Sequence, residues 1–174
     1  LDKAAVTFLI DNSTSMRSTI GHMYAILSGL LTYLGRATIP TEAIGYTVES
    51  SGSMVWRDGP SHLTIIKEFR EQFAGAAMRR CVPPSFMCYT NDIDGMMFAV
   101  PRLWARPEKK KILMVLCDGE PFFGSAVITE KAKKSYKEYI KRCREAGIIV
   151  FGIGIDKDLS EYFGQDFASV DLSN

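Results

Sequence analysis

The chain has 174 residues, of which 47% are apolar and 24% charged, and its formal net charge is +1. That length favours one domain with a core of its own, and the composition is that of a folded globular domain rather than a disordered or fibrous chain. A near-neutral balance gives no whole-domain electrostatic support for binding nucleic acid or an anionic membrane, and no apolar run approaches the ~20 residues of a membrane-spanning helix.

Four cysteines, Cys81, Cys88, Cys117 and Cys143, form no C-x-x-C pair and fit no zinc spacing. They read as reduced thiols of a cytoplasmic protein, with a Cys81–Cys88 bridge as the sequence-local alternative. No signal peptide is visible. The first strand lies close to Leu1, so the chain reads as a single domain, residues 1–174, that could be a piece of a longer protein.

In chain order, Ala5 to Ile10 is a short apolar run rich in β-branched residues, the pattern of a strand buried on both faces. Arg17 to Gly35 carries Ile20, Met23, Tyr24, Leu27, Leu30, Leu31 and Leu34 near helical spacing. Ala43 to Val48 predicts a second strand, and Ser53 to Trp56 a hairpin return that makes an antiparallel edge. Ser61 is placed to cap a helix over Leu63 to Met78, with Leu63, Ile66, Phe69, Phe73 and Ala77 as its apolar positions.

Cys81 to Asn91 reads as a loop punctuated by Pro83 and Pro84. Asp94-Gly95 opens a helix to about Ala105, which Pro101 should kink or shorten. Lys111 to Cys117 is the next buried strand. Thr129 to Ala146 is a charged amphipathic helix ended by Gly147. Ile148 to Ile155 is another buried strand, and Glu161 to Phe163 and Phe167 to Leu172 predict a last short helix and a last strand. Alternating strands and helices predict a doubly wound α/β fold with a mostly parallel central sheet, one antiparallel edge strand and helices on both faces.

In such sheets ligands bind beyond the carboxyl ends of the strands. Three polar clusters fall there: Asp11-Asn12-Ser13-Thr14-Ser15, Thr90 to Gly95, and Asp118-Gly119-Glu120. Their side chains are hard oxygen donors, which favour Mg²⁺, Mn²⁺ or Ca²⁺ over zinc or copper. Few carboxylates among neutral hydroxyls suit a partly hydrated Mg²⁺ better than a calcium cage. Taken singly, each cluster has an ordinary explanation: Asp11 and Ser13 as helix caps, Asp118-Gly119 as a turn, Asp94 as an N-cap. Their joint placement at strand ends is what points to a cation.

Asp11-x-Ser13-x-Ser15, Thr90 five residues before Gly95, and Asp118-Gly119 after a strand together resemble the metal-ion-dependent adhesion site of von Willebrand factor A (VWA) domains. The stretches Leu9 to Met16, Asn91 to Met97, Arg102 to Pro121 and Val150 to Asp156 resemble, more narrowly, the C-terminal domain of CobT-type cobaltochelatase subunits. That resemblance implies a VWA fold and a non-catalytic, cation-dependent adaptor. It also implies a MoxR-type AAA+ ATPase partner and a cobaltochelatase that inserts cobalt into a corrin during cobalamin synthesis.

On this reading Ser13, Ser15 and Thr90 coordinate Mg²⁺ through hydroxyls, and Asp11 and Asp118 bind it directly or through water. Asp94 supports the ligands from behind or substitutes for one of them. An open coordination position accepts an Asp or Glu from a partner protein. Phe122 and Phe123 either rim the metal or pack beneath its loop. The lysines at 109–111 and the basic residues of the Thr129–Ala146 helix read as solvated faces.

Three other functions compete with this reading. Carboxylates with Mg²⁺ at strand ends also serve phosphoryl transfer, although position 13 holds serine rather than a second aspartate. Gly152-x-Gly154 is too little for a dinucleotide fingerprint, and no GxxxxGK[ST] loop is present. A scaffold with a vestigial metal site is the third.

Overall fold

The computed structural model describes residues 3–48, 60–72, 79–81, 91–118 and 126–171. Along the chain these form β1 (Ala4–Asp11), a 3-10 turn (Thr14–Ser18), α1 (Ile20–Arg36), β2 (Thr41–Val48), β3 (Ser61–Lys67), α2 (Asp92–Trp104), β4 (Lys110–Cys117), α3 (Ala126–Glu145), β5 (Ile148–Ile155), α4 (Ser160–Phe163) and β6 (Phe167–Val170). The strands make one sheet in the order β3-β2-β1-β4-β5-β6. All neighbours pair in parallel except β2 and β3. The doubly wound α/β class with one antiparallel edge is therefore observed.

Strand alternation explains how both sheet faces are covered. Val6, Phe8 and Ile10 of β1 pack with Met23, Leu27 and Leu31 of α1. The intervening Ala5 and Leu9 pack with Met96, Ala99 and Leu103 of α2 and with Tyr136 and Ile140 of α3. The near-continuous apolar composition of β1, β4 and β5 follows from burial on two sides.

The helix expected over Leu63 to Met78 is a correction. Residues 61–67 are strand β3, antiparallel to β2 at the sheet edge. Thr64, Ile65 and Ile66 are β-branched and favour a strand, and plain strand alternation puts Leu63 and Ile66, three positions apart, in opposite cores. Leu63, Ile66 and Phe69 thus imitate a helical period within a bulged strand and the turn after it. The hairpin return expected at Ser53 to Trp56, and Phe73 and Ala77, lie outside the described residues; the antiparallel edge is β3 instead.

Pro101 does not shorten its helix, which runs on to Trp104. Pro101 is exposed, so the carbonyl it cannot serve, that of Met97, lies on the solvent side. Gly147, at φ +89°, follows α3 as expected. Gly152 gives a packing account of the Gly-x-Gly pair, because a Cβ there would stand 2.7 Å from the Phe163 ring. Cys81, Cys117 and Cys143 are in no disulfide, and Cys88 lies outside the described residues.

Arg144 departs from the solvated-face reading of its helix. Its guanidinium donates to the carbonyls of Val150 (3.1 Å) and Phe163 (2.8 Å) and pairs with Asp166 at 3.0 Å. It ties α3 to β5 and α4.

Candidate metal centre at the sheet switch point

β1 has β2 on one side and β4 on the other, so the direction of winding reverses at its carboxyl end. This is where an open parallel sheet leaves a crevice. Asp11 ends β1, Asp118 directly follows β4, and α2 begins at Asp92.

Strand parity sends Asp11 to the α2 side, the side of Ala5 and Leu9. Its register partner on β2 is Tyr46, which belongs to that same core. Asn12 turns the other way, donating from Nδ2 to the Tyr24 hydroxyl on α1 at 3.0 Å. The backbone N–H of Ser13 donates to Asp11 Oδ1 at 2.7 Å, which closes a tight loop. The Ser13 and Ser15 hydroxyls meet at 2.8 Å. Met16, fully buried against the α1 core, anchors the 3-10 turn that carries them.

At the start of α2, Asn91 is the N-cap: its side chain accepts from the Asp94 N–H at 3.2 Å. Asp94 is therefore inside the helix, not its cap. Its Oδ2 accepts a hydrogen bond from Ser61 on β3 at 2.6 Å. The carboxylate aimed at the crevice is Asp92, 6% exposed, whose Oδ1 accepts the Tyr46 hydroxyl at 2.6 Å. A Cβ on Gly95 would stand 3.0 Å from Tyr46 Cγ, so glycine there lets α2 approach β2 closely enough for this bond.

Burial pushes the Asp11 carboxyl well above the usual carboxylate range, and the negative charges of Asp92 and Asp118 push it further; hydrogen bonds from Ser13 offset part of this. Burial and the charges of Asp92 and Asp11 likewise raise the Tyr46 phenol, so it stays a donor. Asp11, Asp92 and Asp118 thus form one electrostatic cluster. Asp92 and Tyr46 were not singled out from sequence. The available signal was Asp92 itself, an acid two residues past Thr90 and in the first turn of a helix, which looks like a dipole-favoured surface residue.

Among the described residues, no three carboxylate, imidazole or thiol side chains close on a single point. The donor set is mixed, with hydroxyls alongside carboxylates. It fits a hard, partly hydrated cation, and the raised Asp11 carboxyl marks a place where positive charge is wanted. Thr90, Gly119, Glu120, Phe122 and Phe123 lie outside the described residues. A cleft of ≈ 770 Å³ opens at the opposite end of the strands, where Thr41 and Lys67 lie, and is separate from this cluster. No helix among the described residues is long and apolar enough to cross a membrane.

The family model of the cobalamin biosynthesis protein CobT VWA domain matches residues 1–172. An uncharacterized protein of Pseudomonas aeruginosa is 28% identical over 112 residues, which are 62% of this chain and 18% of that protein. The pilus adhesin SpaC of Lactobacillus rhamnosus GG shares the fold with a TM-score of 0.66 at 14% identity, covering 98% of this chain and 29% of its own. The PilB minor pilin of Streptococcus sanguinis also gives 0.66, at 13% identity, covering 99% and 58%. Proximal thread matrix protein 1 of the mussel byssus, in a structure whose MIDAS motif is occupied by zinc, gives 0.60 at 16% identity, covering 97% and 41%. The chain thus spans under two thirds of each of these relatives.

Proposed function

Because this chain belongs to the CobT VWA domain family, we propose that it is a non-catalytic, divalent-cation-dependent protein-interaction domain. The observation that carries the reading is the cluster of Asp11, Asp92 and Asp118 at the switch point, with Asp11 buried against two like charges. Like charges held together in a low-dielectric crevice are costly, and a bound cation offsets that cost. The paired hydroxyls of Ser13 and Ser15 supply neutral ligands.

Asp11, Ser13, Ser15, Thr90 and Asp118 would hold Mg²⁺, with Mn²⁺ or Ca²⁺ as substitutes. Asp92 joins them as a ligand or through a bound water, and Asp94 ties the first turn of α2 to β3 through Ser61. The ion supplies a Lewis-acidic coordination position for a partner's Asp or Glu carboxylate. Neutral hydroxyls leave the ion enough net charge to attract that group. The zinc in the mussel protein's MIDAS motif supports a divalent cation here.

The partner in this reading is a MoxR-type AAA+ ATPase subunit in the cytoplasm, and the machine served is a cobaltochelatase-like complex. The test is capture of a MoxR-type subunit from the same genome by the immobilised domain, in Mg²⁺ and in EDTA. Capture that EDTA and Asp11→Ala both abolish is expected. Capture that persists in the Asp11→Ala protein refutes the metal-bridged mechanism, and absence of capture removes the AAA+ partner.

A further inference from the structure

The near-neutral total charge hides a division along the sheet. Asp11, Asp92 and Asp118 gather at the carboxyl ends of the strands. The ≈ 770 Å³ cleft at the amino ends is lined instead by Arg36, Lys67, Arg70 and Arg106, with Glu71 the one carboxylate among the described lining residues.

The carboxylates that balance these cations are too few. Glu71 accepts from Arg80 at 2.9 and 2.7 Å. Glu68 pairs with Arg70, and Glu108 with Arg106. Buried Glu42 is shared: it holds Arg102 by hydrogen bonds and faces Lys67 electrostatically. Six cations thus stand against four carboxylates, and Arg36 has no ion pair among the described residues.

Lys67 ends β3, is only 3% exposed, and still lines the cleft. Its Nζ donates to the carbonyls of Thr41 at 2.6 Å and Glu68 at 3.1 Å. An ammonium has three N–H groups, so these bonds leave one for a ligand. Burial pulls this ammonium below the usual lysine range, and an anion beside it would offset that cost. Arg106 gives Nε and Nη2 to Glu108 and lies 4.9 Å from the Phe69 ring centroid, which fixes its plane and leaves Nη1. Thr38, also on the cleft wall, has φ +57° at the position after α1 where glycine is usual. A β-branched residue held there is strained, and what it offers over glycine is a hydroxyl.

We propose that this cleft binds a small, multiply charged oxyanion, a polyphosphate or a polycarboxylate, held by Arg36, Lys67, the Nη1 edge of Arg106 and the Thr38 hydroxyl. Guanidinium and ammonium groups read both chemistries, and a cleft of this size takes a ligand well beyond a single phosphate. The site lies at the opposite end of the sheet from the carboxylate cluster, so it does not depend on the cation there.

The test is calorimetric titration of the 174-residue chain with tripolyphosphate and, separately, with citrate, in buffer stripped of metal by a chelating resin. Saturable binding of at least one probe is expected, weakening as salt rises, and the probe that binds identifies the class. Arg36→Glu and Lys67→Met should each lose about tenfold or more in affinity. Arg36 is exposed, so its variant should keep the wild-type unfolding midpoint even where Lys67→Met does not. Thr38→Gly should unfold at a higher temperature yet bind more weakly. Lys131→Glu, on the exposed face of α3, and Asp11→Asn should both bind as wild type does. Equal loss with Lys131→Glu would reduce the effect to general charge, and loss with Asp11→Asn would put the anion at the other end of the sheet; either overturns the proposal. So does the absence of saturable binding of both probes, or an Arg36→Glu protein that binds as tightly as wild type.

Discussion

The Tyr46 hydroxyl donates to Asp92 Oδ1 at 2.6 Å, and both residues are buried, at 1% and 6% exposure. One end of this bond is on β2 and the other on the first turn of α2. It fixes the carboxylate that faces Asp11, so Tyr46 is the positioning residue of the cluster.

Tyr46→Phe removes that donor and changes little in shape. Hydrogen bonds to a charged group contribute about 1.5–3 kcal/mol, and loss of a partner behind a metal ligand typically costs about 10–100-fold in affinity. Titration with Mn²⁺ is expected to show weakening in that range. Unchanged affinity would mean that Asp92 takes no part in holding the ion.

Gly95→Ala should raise helix propensity by about 1 kcal/mol, yet destabilise the protein overall. The added Cβ would meet the Tyr46 ring at 3.0 Å, and buried overpacking costs about 1–3 kcal/mol. Denaturant unfolding should show a net loss, together with weaker metal binding as Tyr46 and Asp92 are pushed apart. A more stable variant would show that the α2–β2 approach has slack.

The Asp11 carboxyl gives a signed pH dependence. Folded, its pKa is raised by burial, Asp92 and Asp118; unfolded, it titrates near ~4. Its stabilising contribution is complete below that unfolded value and is lost as pH rises through the folded one. In EDTA, wild type should therefore lose more stability than Asp11→Asn as pH rises from that unfolded value through the higher folded one. Added Mg²⁺ favours the carboxylate, so the stabilisation by Mg²⁺ should grow over the same interval. Thermal midpoints across that range, with and without Mg²⁺, check both trends, and parallel curves for the two proteins would contradict them.

Arg102 holds the far end of α2. Its guanidinium bonds Glu42 Oε1 at 3.0 and 2.5 Å, and the Glu42 side chain is 0% exposed. Arg102→Met strips buried Glu42 of its guanidinium partner, leaving only the neighbouring Lys67 charge, and should cost up to about 3–5 kcal/mol in chemical denaturation. Adding Glu42→Leu should recover most of it. A single variant as stable as wild type would mean that the Arg102–Glu42 pair adds nothing net to stability.

The buried strands, the order of alternation and the Asp11-x-Ser13-x-Ser15 loop were legible in the sequence because each is a local pattern. A strand covered on both faces must be apolar throughout, and a loop at its end must supply its own polar groups. Residues 61–67 were misread because three apolar residues spaced by three fit a helix and a bulged edge strand equally well, and only pairing with β2 separates the two. Asp94 looked like the cap and Asp92 like nothing in particular, because both are acids in a first helical turn.

The sequence by itself determined the fold class and the hard-oxygen chemistry of the strand ends, since periodicity and donor type are carried by neighbouring residues. The tertiary structure alone decided which acid faces Asp11. That depends on the parity of β1 and on Tyr46 pairing beside it, and on a glycine that admits α2. These are relations among residues up to 84 positions apart, from Asp11 to Gly95, that only chain packing brings together.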